Sequence, residues 1–175
     1  DHLAPGLDIV FVGINPGAAS STQGRHYAHA GNHFWPSLCE SGLNSPSLKL
    51  TLPPTDDSIC PSLFSLGFTN LCPRATRSQS DLTRAELRAG IPPLLEKLAL
   101  HRPRICCFVG MDIYRVFSGS AKVVLGLQRE TVNVGEGVEV KLFCVPSTSG
   151  RVSAYSRGDR VRWFLELKRV RDEMK

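Results

Sequence analysis

The 175-residue chain is missing the signatures of several large functional classes. Its six cysteines, Cys39, Cys60, Cys72, Cys106, Cys107 and Cys144, form no C-x-x-C pair and no Cys/His cluster at zinc spacing. They read as buried reduced thiols of an intracellular protein. An iron–sulfur cluster needs four suitably placed cysteines, and the adjacent Cys106 and Cys107, on a buried strand, are expected to point to opposite faces. No metal and no cofactor are therefore expected. No run approaches the roughly 20 apolar residues of a membrane span, so no membrane partner is expected either. A dinucleotide G-x-G-x-x-G and the G-K-[ST] ending of a P-loop are both absent. So are an internal repeat and the G-x-S-x-G of a nucleophile elbow, which leaves a small-molecule hydrolase without its machinery.

What is present is the balance of one globular domain over residues 1–175, with 42% hydrophobic and 21% charged residues and a formal charge of +5. A basic surplus suits a polyanionic partner without proving one. Residues 8–14 (DIVFVGI) are an apolar, β-branched run ending in a Gly/Pro cluster, the pattern of a buried parallel strand feeding a functional loop. Similar runs follow at 68–72, 104–109 and 140–145. Residues 83–100 read as a helix, with a capping box between Thr83 and Glu86 and an apolar face of Leu87, Ile91, Leu94, Leu95 and Leu98. Pro92 and Pro93 predict a kink or a restart there. From Ser156 onward, Trp163, Leu167, Val170 and Met174 share a stripe, with Arg and Lys elsewhere, as in an amphipathic closing helix. Residues 45–61, rich in Ser, Pro and Asp, read as a surface loop. Strands alternating with helices predict a three-layer α/β/α sandwich with a mostly parallel sheet, whose ligands sit at the carboxyl ends of the strands.

The first loop, GINPG at 13–17, offers a neutral amide, Asn15, beside a Pro-Gly turn where backbone N–H groups can face a ligand. Taken alone, it is equally an Asn that stabilises its own turn. Three segments, however, resemble the mismatch-specific uracil/thymine DNA glycosylases of the uracil-DNA glycosylase superfamily. They are DHLAPGLDIVFVGINPG at 1–17, GRHYAHAGNHFWPSLCESGL at 24–43 and VPSTSGR at 145–151, supported by GFTNLCPRAT at 67–76. They fall in the family's order and span nearly the whole chain.

The resemblance implies a uracil-DNA glycosylase fold and a monofunctional enzyme that flips a base from duplex DNA and cuts its N-glycosidic bond. In the family, the residue matching Asn15 positions the water that attacks C1′. An amide can orient water but cannot take its proton, so the base must leave as an anion, stabilised by fixed dipoles. Slow turnover and a preference for good leaving groups follow. Tyr27 resembles the aromatic wall on which the flipped ring stacks. Ile14, His26 and Asn32 fall among the base-contacting positions, and Asn70 resembles the amide that reads the base edge. Arg74 and Thr76 stand beside it as contacts to base or phosphate, while Phe34 and Trp35 read as core. Lone His29 and His33 carry no assignment.

VPSTSGR corresponds to the loop that enters the duplex: Ser147, Thr148 and Ser149 donate to phosphates, Gly150 allows close approach, and Arg151 fills the space left by the extruded base. An Arg wedge resembles the thymine-active branch, whereas DHLAPGL resembles the bacterial uracil-preferring one, so both substrate classes stay open, 5-formyl- and 5-carboxylcytosine included. No Lys occupies a nucleophile position, so no lyase step is expected. The implied partner is double-stranded DNA bearing a G·U or G·T mismatch or a modified cytosine, bound by a monomer in the nucleus or, outside eukaryotes, the cytoplasm. The rival reading is a mismatch sensor that keeps pocket and wedge without turnover.

Overall fold

A computed structural model describes residues 1–45 and 51–175. The strands are β1 (Ile9–Gly13), β2 (Leu66–Asn70), β3 (Ile105–Val109), β4 (Gly126–Asn133) and β5 (Glu139–Val145). The helices are α1 (Ala18–Gln23), α2 (Phe34–Ser41), α3 (Cys60–Phe64), α4 (Arg84–Ala89), α5 (Ile91–His101), α6 (Met111–Ser118) and α7 (Arg157–Glu173), with 3-10 turns at Pro54–Ile59 and Gln79–Asp81. One five-stranded sheet runs β2-β1-β3-β5-β4. Every pairing is parallel except the antiparallel β4–β5 edge.

Period-two side-chain alternation divides the core. Ile9, Phe11, Ile105, Cys107, Phe143 and Val145 face a layer that includes Phe34, Leu38, Phe164 and Leu167 of α2 and α7. Val10, Val12, Cys106, Phe108, Leu142 and Cys144 face Leu87, Leu94, Leu98, Ile113 and Tyr114 of α4, α5 and α6. The expected α/β/α sandwich is thus observed, with Cys106 and Cys107 on opposite faces. All six thiols are free, and five are buried. The sheet order turns back at β1, placing a crevice outside its carboxyl end, where open parallel sheets take ligands.

The predicted helix over 83–100 is two helices. Thr83 and Glu86 close their capping box on α4, and α5 restarts at Ile91 with prolines in its first turn, where a missing N–H costs nothing. Gly90 between them meets the backbone of Leu71, so closely that a Cβ there would overlap the Leu71 carbonyl. Leu95 leaves the expected apolar face and is exposed.

Three further expectations are corrected. β4, which the sequence reading lacks, forms an exposed edge whose QRET segment carries no apolar run. Of the loop expected over 45–61, residues 46–50 lie outside the described residues, and the part from Pro54 is helical, with Pro54 and Pro61 presetting φ in their first turns. Finally, α7 does not keep all its cations outside. Arg160 and Arg171 are buried beside Phe164, because carbonyl groups take their donors, as Leu43 O does for Arg171 at 2.9 Å.

Candidate active site

Sheet register brings the first two loops together. Gly13 lies opposite Asn70 in the β1–β2 ladder. A Cβ on Gly13 would stand 2.6 Å from Asn70 Oδ1 and 3.3 Å from the Tyr27 hydroxyl, so glycine alone leaves room for both groups. Beyond the strands, the N–H groups of Leu71, Cys72 and Thr76 donate to the carbonyls of Gly13, Ile14 and Pro16, at 2.8, 2.8 and 3.2 Å. These bonds staple the 13–17 loop to the 71–76 loop.

Within that staple, Asn15 Nδ2 donates to Arg74 O at 2.8 Å and to Thr76 Oγ1 at 2.7 Å. The Thr76 hydroxyl spends its own proton on Ser78 O at 2.7 Å, so toward Asn15 it can only accept. Both amide hydrogens are therefore committed and the amide cannot flip. Its Oδ1, which accepts no hydrogen bond among the described residues, is a fixed acceptor on a residue that lines the cleft. The Arg74 guanidinium is engaged elsewhere, clamped to Glu86 at 2.7 Å and to Asp81 O at 2.8 Å. That clamp and the Thr83 N–H hold the Glu86 carboxyl at about 2. Arg74 thus serves the site through its carbonyl and Thr76 through its hydroxyl.

The second loop is tied down from below by Asp57, a fully buried carboxylate that the sequence reading left in a surface loop. Asp57 accepts from the Arg25 guanidinium and from the His26 N–H, both at 2.9 Å, with His2 Nε2 at 3.3 Å. The His26 imidazole sits against Phe68, and burial lowers its pKa to about 4, so it is neutral at physiological pH. Tyr27 takes a left-handed backbone, φ 52°. Its ring stacks on Phe34 at 4.0 Å and 11°, which leaves the opposite face for the cleft, while burial pushes its phenol pKa upward. Phe34 and Trp35 are core, as expected, and Phe34 also backs Tyr27. The Asn32 carbonyl is committed to the Phe34 N–H at 2.9 Å, at the entry of α2, which leaves its NH2 group for the cleft.

The third loop, after β5, lies across from these. Thr148 is buried, its carbonyl taking the His33 N–H at 2.8 Å. Gly150 presses on the second loop: a Cβ would stand 2.5 Å from Gly31 O. The close approach Gly150 permits is therefore to the protein's own backbone. Arg151 is exposed and reaches Arg77 O at 2.9 Å, spanning the mouth of the cleft. Among the described residues, neither Arg77 nor Arg151 has an acidic partner. Beneath this loop lies the buried Arg160, which the sequence reading missed because its position in α7 looks like one more surface cation.

All the candidate residues, Ile14, Asn15, His26, Tyr27, Asn32, Asn70 and Ser147 to Arg151, line one open cleft of about 1460 Å³. That exceeds the roughly 300–1,000 Å³ of small-molecule sites and suits an extruded nucleotide with its flanking backbone. Among the described residues no lysine lines it, and its carboxylates are Asp1 and Asp112. Asp1 is held by Lys97 and Asp112 by Arg115. Asn15 Oδ1 is thus an uncommitted acceptor near Tyr27 and Asn70. Comparison with known proteins identifies the family. The model of the uracil DNA glycosylase superfamily matches residues 1–169. A relative from Schizosaccharomyces pombe, described as a G/U mismatch-specific uracil DNA glycosylase, is 30% identical over 164 residues, covering 89% of this chain. The chain spans 48% of that relative's length. With its fold, its loops and this match over nearly its full length, the chain belongs to the uracil DNA glycosylase superfamily.

Proposed function

We propose that this chain is the catalytic domain of a monofunctional DNA glycosylase. It extrudes uracil from a G·U pair in duplex DNA and hydrolyses the N-glycosidic bond, leaving an abasic site and free base. Mispaired thymine and 5-formyl- or 5-carboxylcytosine are further substrates of the same pocket. The carrying observation is Asn15, whose amide hydrogens are both spent on Arg74 O and Thr76 Oγ1. Its Oδ1 accepts a hydrogen from the attacking water and aims the water's lone pair at C1′. A neutral amide takes no proton, so the C1′–N bond breaks largely before water adds, through an oxocarbenium-like sugar. The departing base carries the electron pair as an anion, the added water releases one proton to solvent, and the base takes up a proton in turn.

Base recognition falls to Tyr27, stacked on one ring face, and to Asn70, whose amide accepts from N3–H and donates to the neighbouring carbonyl oxygen. A neutral His26 supplies no proton to the leaving group at pH 7. Arg151 exchanges its contact with Arg77 O for the space vacated in the duplex, offsetting part of the few kcal/mol that unstacking costs. The absence of lysine among the described cleft residues supports hydrolysis without a Schiff-base step. The choice of uracil opposite guanine follows the specificity for which the Schizosaccharomyces pombe relative is named.

The test is single-turnover incubation with duplexes carrying one G·U, G·T, A·U or G·5-carboxylcytosine pair. Free base and an alkali-labile site from G·U are expected, with no strand break before alkali. Mismatch binding without base release would replace the enzyme by a sensor, and cleavage without alkali would overturn the monofunctional assignment.

A further inference from the structure

Arg160 is 2% exposed and has no acidic partner among the described residues, since the carboxylate of neighbouring Asp159 is spent on capping α7 at Ser156. A buried guanidinium is costly unless its donors are satisfied. Here four of its five N–H donors are hydrogen-bonded, and all the acceptors come from one segment. Nε donates to Ser147 O at 2.8 Å, Nη1 to Tyr155 O at 2.7 Å, and Nη2 to Val152 O at 2.8 Å and Ser149 O at 3.2 Å. The helix that carries it starts from its own capping box at Ser156, so the cation is anchored independently of the loop it organises.

No peptide in the chain is cis. In a trans peptide the N–H points opposite to the C=O. Turning the carbonyls of Ser147, Ser149 and Val152 inward to Arg160 therefore turns the N–H groups of Thr148, Gly150 and Ser153 away from it. None of these three N–H groups has a hydrogen-bond partner among the described residues. The hydroxyls of Ser147 and Ser149 accept from the N–H groups of Ser149 and Arg151, so their own hydrogens remain to be donated. The segment thus has an acceptor face folded onto one buried cation and a donor face opposite it, with Ser147 to Val152 lining the cleft. Unpaired backbone donors on one side of a loop can receive an oxyanion.

We infer that Arg160 is a positioning residue for DNA-backbone recognition: from beneath the 147–155 loop it orients the N–H groups of Thr148, Gly150 and Ser153 toward a phosphodiester. The inference rests on the proposed action on duplex DNA. Arg160 touches no phosphate itself. Its charge polarises the peptide units above it and fixes the loop that carries Arg151. Sequence reading credits phosphate contact to the serine and threonine hydroxyls of this loop. The structure assigns the orientation of the whole donor set to one residue outside it.

The test uses the whole chain with R160K and R160Q, and a duplex holding a tetrahydrofuran abasic analogue opposite guanine. Binding is followed by fluorescence anisotropy across a salt series, with melting temperature and single-turnover G·U cleavage alongside. R160K keeps a cation in place but presents three donors without the planar fork. It is expected to stay folded and to bind about tenfold more weakly at every salt concentration, with the log–log salt slope unchanged, because neutral N–H donors release no counterion. R160Q should lose more affinity. In the wild-type chain, the Thr148, Gly150 and Ser153 amide resonances should move most when this duplex is added, a readout independent of how well any variant folds. A lowered melting temperature with affinity unchanged would reduce Arg160 to a structural role, as would amide resonances that stay still. The two readings fail separately. Wild-type protein that binds as described without cleaving uracil removes the glycosylase assignment alone, and affinity unaffected by R160K and R160Q removes this inference alone.

Discussion

Replacing Thr76 with valine isolates what holds the water-orienting amide. Valine matches threonine in shape but removes the oxygen that accepts from Asn15 Nδ2 at 2.7 Å, leaving Arg74 O at 2.8 Å as the one remaining anchor. Ser78 O loses its donor as well, but Ser78 is only half-buried and water can replace the bond. A net hydrogen bond contributes about 0.5–1.5 kcal/mol. If that energy holds Asn15 Oδ1 on the water, its loss slows the chemical step by up to about tenfold, at about 1.4 kcal/mol per decade. Single-turnover cleavage of a G·U duplex at saturating protein should therefore slow about two- to tenfold in Thr76→Val. Thr76→Ser, which keeps the oxygen, should remain within about twofold. The sharper form is a double-mutant cycle. Because Thr76 acts through Asn15, Thr76→Val should cost nothing further on an Asn15→Ala background. Additive losses would refute the argument, because Thr76 would then act on substrate or fold independently of Asn15.

Other perturbations test the rest of the site. Gly13→Ala places a Cβ 2.6 Å from Asn70 Oδ1. It should lower stability by about 1–3 kcal/mol, or several degrees in melting temperature, and weaken binding of uracil-containing duplex as the Asn70 amide is displaced. Gly150→Ala places a Cβ 2.5 Å from Gly31 O, forcing the second and third loops apart. The expected outcome is a similar loss of stability with weakened product binding, and a neutral melt would contradict it. Acid stability tests His26, whose pKa is about 4 when folded against an ordinary 6.5. On acidification the unfolded chain takes up this proton first, so folding stability should fall between pH 6.5 and 4 by up to about 3 kcal/mol. Chemical denaturation of His26→Gln across that range should show a flatter dependence than wild type, and an unchanged profile would mean His26 is not the neutral group assigned here.

The sheet was legible because its central strands are short apolar runs with Gly, Pro or Asn at their carboxyl ends. β4 escaped because an edge strand has one exposed side, and Gln128, Arg129 and Glu130 erase the alternation. The clustering of Asn15, Tyr27, Asn70 and Ser147 to Arg151 was legible through resemblance, since residues far apart in sequence share a cleft only after the parallel sheet forms. What supports them was not legible. Thr76 reaches Asn15 across 61 positions, and a threonine in a loop carries no local sign of that task. Asp57 lies in a Ser/Pro/Asp-rich stretch whose composition resembles an exposed loop, yet its carboxylate is buried by the donors of Arg25 and His26. Arg160 has the opposite character: α7 is so rich in Arg that a buried one leaves no trace in the pattern. Hydrophobic periodicity identifies what water excludes, and it is silent about polar groups that are buried because specific donors and acceptors meet them.

The most direct test of the central claim is the single-turnover rate of Asn15→Ala on a G·U duplex, measured beside its affinity for the same duplex. Asn15 Oδ1 orients water without gripping DNA. The rate should therefore fall by about a hundred- to a thousandfold, as for removal of an oriented catalytic hydrogen-bonding group, while affinity stays within about threefold. A variant that cleaves at the wild-type rate, or one whose rate falls only as far as its affinity, would contradict the assignment of water positioning to Asn15.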